Sequence, residues 1–290
     1  MQKHWQKILA IATLLLWNSN ALATAETSPT PANLKVFTYN TGAEPESIDP
    51  AKTSTVNAQV LVLQMFEGLT AQHPSEDKVV PGVAERWSLS PDGKTYTFTL
   101  RKNAQWSDGS PLTANDFWYA WERAVNPATA SPNATVFQYI KNGREYLAGK
   151  IKDPKQLGFS AVDARTFRVE LVTPFPPFLF VTASTTSMMP VKEEVVKKYG
   201  DKWFRPENIV SNGPFKLQTW KIYDRLILVK NPHYWDAKKV KLDQVNALVI
   251  EDLETALKRY FMGELDFLEH IPTAKIPTLL KNPEFQTALS

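Results

Sequence analysis

Hydrophobic and polar positions alternate most clearly in residues 83–125, VAERWSLSPDGKTYTFTLRKNAQWSDGSPLTANDFWYAWERAV. Tyr96, Phe98 and Leu100 take turns with Thr95, Thr97 and Thr99, the period of a half-buried β-strand. Ser90-Pro91-Asp92-Gly93 precedes them. Proline presets φ and glycine accepts a positive one, so this is a turn, with Trp87 and Leu89 on the opposite arm of a hairpin. After a second turn at residues 107–111, Thr113 and Asp116 have the spacing of a capping box. The helix that follows carries Phe117, Ala120, Trp121, Ala124 and Val125 on one face and stops at Asn126-Pro127.

The remaining chain reads as alternating short elements. Residues 34–39 predict a first strand, and residues 57–68 a helix whose apolar face is Val60, Leu61, Gln64, Met65 and Leu69. Residues 137–147 are weakly helical. Residues 157–171 predict a hairpin marked by Val162, Phe167, Val169 and Leu171. The run 173–178, TPFPPF, cannot be a central strand. Residues 191–199 predict a short helix ended by Gly200, with Glu193 and Glu194 spaced for pairs with Lys197 and Lys198. Residues 215–220 and 225–230 form another hairpin. A strand at 245–249, a helix at 251–262, a strand at 265–268 and a short helix within 271–289 complete the pattern.

At the N-terminus, Lys3, His4 and Lys7 precede the apolar run 8–17, which is too short to span a bilayer. Ala21-Leu22-Ala23 fits a small-x-small cleavage site, so residues 1–23 read as a signal peptide cut after Ala23. Residues 24–33, TAETSPTPAN, are a polar leader expected to be mobile.

Several motifs recur in one known family. They are Glu44-Pro45-Glu46-Ser47-Ile48-Asp49-Pro50, Phe66-Glu67-Gly68-Leu69, the stretch 87–117, and Ser131-Pro132-Asn133-Ala134. To these add Asn208-Ile209-Val210-Ser211-Asn212-Gly213-Pro214, Asn231-Pro232-His233-Tyr234-Trp235 and Arg259-Tyr260 through Asp266. The set resembles periplasmic oligopeptide-binding proteins, the substrate-binding components of ABC transporters in solute-binding protein family 5, over residues 34–289. The resemblance implies an α/β fold, a two-lobed periplasmic binding protein of type II, truncated, with a β-hairpin-rich smaller lobe. Residues 34–66 and 191–290 would form the first lobe, discontinuous and incomplete, and residues 67–190 an inserted lobe. The family's C-terminal lobe has no counterpart here, so the chain looks like an N-terminal portion.

The resemblance further implies that peptide lies between lobes and pairs its main chain with backbone groups. One such segment corresponds to residues 53–56. Val56 keeps the family residue, Ser54 replaces an acidic one, and Asn133 stands where an aromatic ring often meets ligand. Ser54, Val56 and Asn133 are the candidate substrate-binding residues. The implied location is the periplasm, and the implied partners are a peptide ligand, an ABC transporter membrane permease, and a second chain supplying the missing lobe. Without that lobe, binding is expected to be weak or lost, which also leaves open a non-functional remnant. Family members for dipeptide, murein peptide, haem or nickel are alternatives.

Composition narrows the chemistry. The 33 basic and 30 acidic residues give +3, and removing Lys3 and Lys7 with the signal peptide leaves about +1. That balance offers no footprint for nucleic acid. There is no cysteine, which excludes disulfides, thiolate metal sites and a cysteine nucleophile. Aromatics reach 11%, with nine tryptophans, an aromatic core or a ring-lined cleft suited to peptides or sugars. The sequence lacks G-x-S-x-G, Walker A and G-x-G-x-x-G patterns, and His4, His73, His233 and His270 are scattered. No catalytic residue, metal site or cofactor is expected, and the chain reads as a binder, with an aromatic-rich sugar-binding protein and a hydrolase of unrecognised site as rivals. Glu67 has no visible partner carboxylate and reads as structural; His233 reads as a turn residue.

Overall fold

The computed structural model describes residues 34–281. The signal peptide and leader expected at 1–33 lie outside the described residues. In chain order the elements are β1 (Val36–Asn40), α1 (Val56–Met65), β2 (Thr70–Gln72), β3 (Val79–Pro81), β4 (Ala84–Leu89), β5 (Thr95–Leu100) and α2 (Ala114–Val125). They continue with α3 (Gly143–Leu147), β6 (Phe159–Ala161), β7 (Thr166–Glu170), α4 (Phe178–Ser184), α5 (Glu193–Tyr199), β8 (Phe215–Lys221) and β9 (Arg225–Lys230). β10 (Gln244–Leu248), α6 (Leu253–Phe261) and α7 (Ile276–Leu279) follow.

Two four-stranded sheets organise these elements. One has the order β1-β10-β9-β8 and draws its strands from both ends of the described chain; the other, β4-β5-β7-β6, comes from the middle. β1 runs parallel to β10, pairing Val36 with Gln244 and Asn40 with Leu248, while the other pairs are antiparallel. β2 and β3 form a separate ribbon.

The alternation at 95–100 sets the core of the middle sheet: Tyr96, Phe98 and Leu100 are buried. α2 lies on that sheet with Phe117, Ala120, Trp121, Ala124 and Val125 all buried, the face its spacing predicts. Trp121 packs edge-on against Phe137, Phe159 and Phe167, at centroid distances of 5.9, 5.5 and 5.0 Å. Its indole N–H donates to the Met188 carbonyl at 2.8 Å, so the ring is buried without an orphaned donor. At the start of α2 the Asp116 carboxylate accepts from the Thr113 amide at 2.7 Å, as the capping-box spacing requires.

Five expectations are corrected. α1 ends at Met65, and its buried face is Ala58, Leu61, Val62 and Met65, whereas Val60 is exposed. Val56, Val60, Leu61, Val62, Leu63 and Met65 surround the helix, so periodicity alone does not fix which side turns inward. The run 265–268 is no strand: it makes a single bridge, Tyr39 with Phe267. The Asp266 carboxylate takes the Thr38 amide at 2.7 Å, a donor that a neighbouring strand's carbonyl would otherwise accept. Val162 is exposed at the hairpin bend rather than in the core. The weak helix at 137–147 is a 3₁₀ stretch, Ala134–Tyr139, and α3, separated by Asn142 at φ +63°. α4, unanticipated, begins directly after Pro176-Pro177, where fixed φ suits a helix start. Of the two pairs expected on α5, Lys197–Glu193 forms at 2.6 Å, while Glu194 pairs with Lys192 at 2.8 Å.

Candidate functional site

The loop between β1 and α1 is built around two carboxylates. Asp49 is buried and meets Arg123, from the last turn of α2, in a two-pronged ion pair: Nη1 to Oδ1 at 2.9 Å and Nη2 to Oδ2 at 2.5 Å. The Trp203 indole N–H adds a bond to Oδ2 at 3.2 Å, and the Ala51 amide one to Oδ1 at 3.0 Å. Glu46 stands at the surface and gathers the start of the candidate segment. Its carboxylate accepts from the Ser54 amide at 2.6 Å, the Ser54 hydroxyl at 3.0 Å, the Thr55 amide at 2.9 Å, and the Thr55 hydroxyl. Burial works against the charge there, but the Thr55 and Ser54 donors outweigh it and hold the Glu46 carboxyl down at about 2.

The three candidate residues occupy different parts of this arrangement. Asn133 donates from Nδ2 to the Thr53 carbonyl at 3.0 Å, one residue from Ser54. Thr53 is buried, its hydroxyl 2.9 Å from that of Thr186. Ser54 spends its amide and hydroxyl on Glu46. Val56 opens α1, is 67% exposed, and has no acceptor for its amide among the described residues. It lines a cleft of about 240 Å³ with Asn40, Thr41, Gly42, Asn57, Glu269 and His270. Sequence reasoning missed Glu46, Glu269 and His270. Glu46 lies inside a motif quoted only for its resemblance, with no role given to its carboxylate; Glu269 and His270 sit more than 200 residues from Val56, with no local signal joining them.

A second constellation forms where three motifs meet. Glu67, half-buried after α1, accepts from the Tyr234 hydroxyl at 2.5 Å and the Trp235 indole N–H at 2.6 Å. Asn212 clamps the Glu67 backbone, with Oδ1 taking its amide at 3.2 Å and Nδ2 giving to its carbonyl at 2.9 Å. The Arg101 guanidinium lies 3.5 Å over the Trp235 ring. Burial pushes the Glu67 carboxyl up to about 7, against the hydrogen bonds from Tyr234 and Trp235 and the charge of Arg101. These hydrogen bonds join the end of α1, the segment before β8 and the loop after β9, and Arg101 brings in the segment after β5. His233 is a turn residue, its amide bonded to Asn231 Oδ1 at 3.0 Å. Among the described residues, no group of His, Asp or Glu could hold a metal ion, and no helix is long and apolar enough to cross a membrane.

Comparison with known proteins gives this geometry a context. Residues 78–289 match the family model of bacterial extracellular solute-binding proteins, family 5, middle region. The chain is 40% identical over 277 residues to the probable deoxycholate-binding periplasmic protein YgiS of Escherichia coli, covering 92% of this chain and 51% of that protein. It is 40% identical over 270 residues to the periplasmic oligopeptide-binding protein OppA of Salmonella typhimurium, covering 90% and 48%. Its structure resembles that of Haemophilus influenzae OppA in complex with the peptide RPPGFSPFR, with a TM-score of 0.82 and 39% identity, over 87% of this chain and 49% of that one. The chain thus spans about half the length of the curated relatives it matches.

Proposed function

This chain belongs to family 5 of the bacterial extracellular solute-binding proteins, and on that premise we propose that it binds oligopeptides in the periplasm and delivers them to an ABC transporter permease. It is a binder rather than an enzyme. The observation that carries the reading is the similarity to OppA at 40% identity over 270 residues, joined to a fold matching a peptide-bound relative. In this reading Val56 offers its free amide to a peptide carbonyl, as strand-like recognition requires. Ser54 and Asn133 shape the approach to Val56 by fixing the segment before it. Residues 34–66 with 191–290 act as one lobe and residues 67–190 as the other, a division supported by the strand content of the two sheets. A second polypeptide completes the cleft, and the chain by itself binds weakly. The signal peptide directs export and is cleaved after Ala23.

A second reading rests on the similarity to YgiS, whose name gives deoxycholate as its ligand. Native mass spectrometry on chain purified from the exported fraction separates the two. Folded charge states carrying a ladder of peptide masses support peptide binding. A single adduct of bile-acid mass, or displacement of peptides by deoxycholate, moves the assignment to a steroid acid. Bare protein that takes up no peptide at millimolar concentration overturns the peptide reading.

A further inference from the structure

A pocket of about 250 Å³ opens where α1 ends, beside α4 and the loop after β9. Leu63, Phe66, Ala71, Met189 and Pro214 give it apolar walls, while Glu67 and Tyr234 stand on its polar side. Both oxygens of Glu67 accept hydrogen bonds, at 2.5 and 2.6 Å, but both donors are neutral: the Tyr234 phenol and the Trp235 indole. Such bonds leave each carboxylate oxygen a further lone pair. Among the described residues, Glu67 forms no ion pair. Arg101 is committed elsewhere, with its guanidinium 3.5 Å over the Trp235 ring and its Nε bonded to the Gly82 carbonyl at 2.7 Å. Its charge reaches Glu67 only from beyond ion-pair distance. Asp236 adds a second negative charge nearby and is paired with Lys239 at 3.0 Å. Gly68, also on the wall, seats this segment against α4, since a Cβ there would fall 2.2 Å from the Thr182 carbonyl oxygen. With the Asn212 clamp on the other side, Glu67 is held in place before any ligand arrives, so little ordering cost remains for binding.

The geometry points to a second binding site here, one that takes a small organic cation: an alkylammonium group meets the Glu67 carboxylate, and its carbon chain lies along Leu63, Ala71 and Met189. A withdrawn carboxylate with neutral partners is stabilised by a cation that enters with it, and the apolar walls favour one that carries a hydrocarbon arm. The site stands apart from the peptide reading, because none of Ser54, Val56 and Asn133 lines this pocket.

The test titrates the whole exported chain with n-butylammonium, methylammonium and n-butanol. Binding is followed by NMR at the Trp235 indole N–H, which reports on Glu67 through its 2.6 Å bond. At about pH 8, butylammonium should bind about five-fold tighter than butanol, as a part-exposed charge pair allows. It should also outdo methylammonium by about four-fold for each methylene buried, an advantage that Leu63→Ala reduces. The cation needs the ionised acid, whose carboxyl lies at about 7. The preference over butanol should therefore fall towards parity at about pH 5.5, and vanish at both pH values in Glu67→Gln. Equal binding of butylammonium and butanol at the higher pH overturns the site, as does a preference that survives at the lower pH or in Glu67→Gln. Should that variant fail to fold, the two pH values in the unaltered chain decide. Excess tri-alanine should leave the titration unchanged; displacement by it would make the pocket part of the peptide cleft and overturn a separate site.

Discussion

Arg123 and Asp49, 74 residues apart, meet through both nitrogens and both oxygens at 2.9 and 2.5 Å, with Asp49 almost wholly buried. The pair ties the loop that leads into the candidate site to the helix covering the middle sheet. Removing one member leaves the other charged and unpaired in a dry setting. Asp49→Asn or Arg123→Met should each cost about 3–5 kcal/mol, read from urea midpoints. The double variant should cost clearly less than the two single costs added together, because it strands no charge. Strict additivity would show that the two residues act independently.

Glu67 should leave a signature in the pH dependence of stability. Its carboxyl is raised from an ordinary 4.5 to about 7 in the folded chain. The folded state therefore holds the proton more tightly than the unfolded one. This group's contribution is fully present below about 4.5 and is lost as pH rises to about 7. Its amplitude is at most about 3 kcal/mol, reduced by solvent screening at a half-buried position. Glu67→Gln keeps a neutral acceptor for Tyr234 or Trp235 and should flatten that part of the stability curve. An unchanged slope between pH 4.5 and 7 would refute the assignment.

Gly213 should not tolerate a methyl group. A Cβ there would sit 2.6 Å from the Met65 carbonyl carbon and 2.8 Å from the Phe66 nitrogen, all backbone. The same glycine donates its amide to the Met65 carbonyl at 2.7 Å. Gly213→Ala should therefore destabilise by about 2–3 kcal/mol through forced separation of the two segments, seen as a lower melting temperature. Retention of wild-type stability would mean that the α1 terminus can shift at little cost.

Glu46 should control the order of the segment before Val56. Its donors, the amides and hydroxyls of Ser54 and Thr55, have no other carboxylate among the described residues. Glu46→Ala should speed amide hydrogen exchange at Ser54 and Thr55 while leaving the buried strand β5 protected. In the unaltered chain the low carboxyl value means this contribution is present above about 4.5 and lost as pH falls towards about 2. Exchange at Ser54 unaffected by the substitution would count against the role given to Glu46.

Local pattern made the middle sheet and α2 legible, because both have one wet and one dry face. α1 was legible as a helix but not in phase, since it is apolar on all sides and only tertiary packing chooses the inner one. The motifs around Glu67, Asn212 and Tyr234 could be quoted one by one. Their meeting could not be read, because partners 145 and 167 residues away leave no periodic trace. For the same reason Glu67 looked partnerless: its partners are a phenol and an indole, not a second acid. Ser54 and Asn133 were singled out by resemblance alone, and the geometry adds what each holds: Glu46 in one case, the Thr53 carbonyl in the other.

The parallel pairing of β1 with β10 also sets an order in time. Val36 cannot meet Gln244 until more than 200 further residues have been made, and closing so large a loop is slow. The hairpins between them need only near neighbours. The first of the described strands to be made is thus among the last to find its place. Until then its edge facing β10 keeps its backbone donors and acceptors unpaired, open to any strand that meets it first.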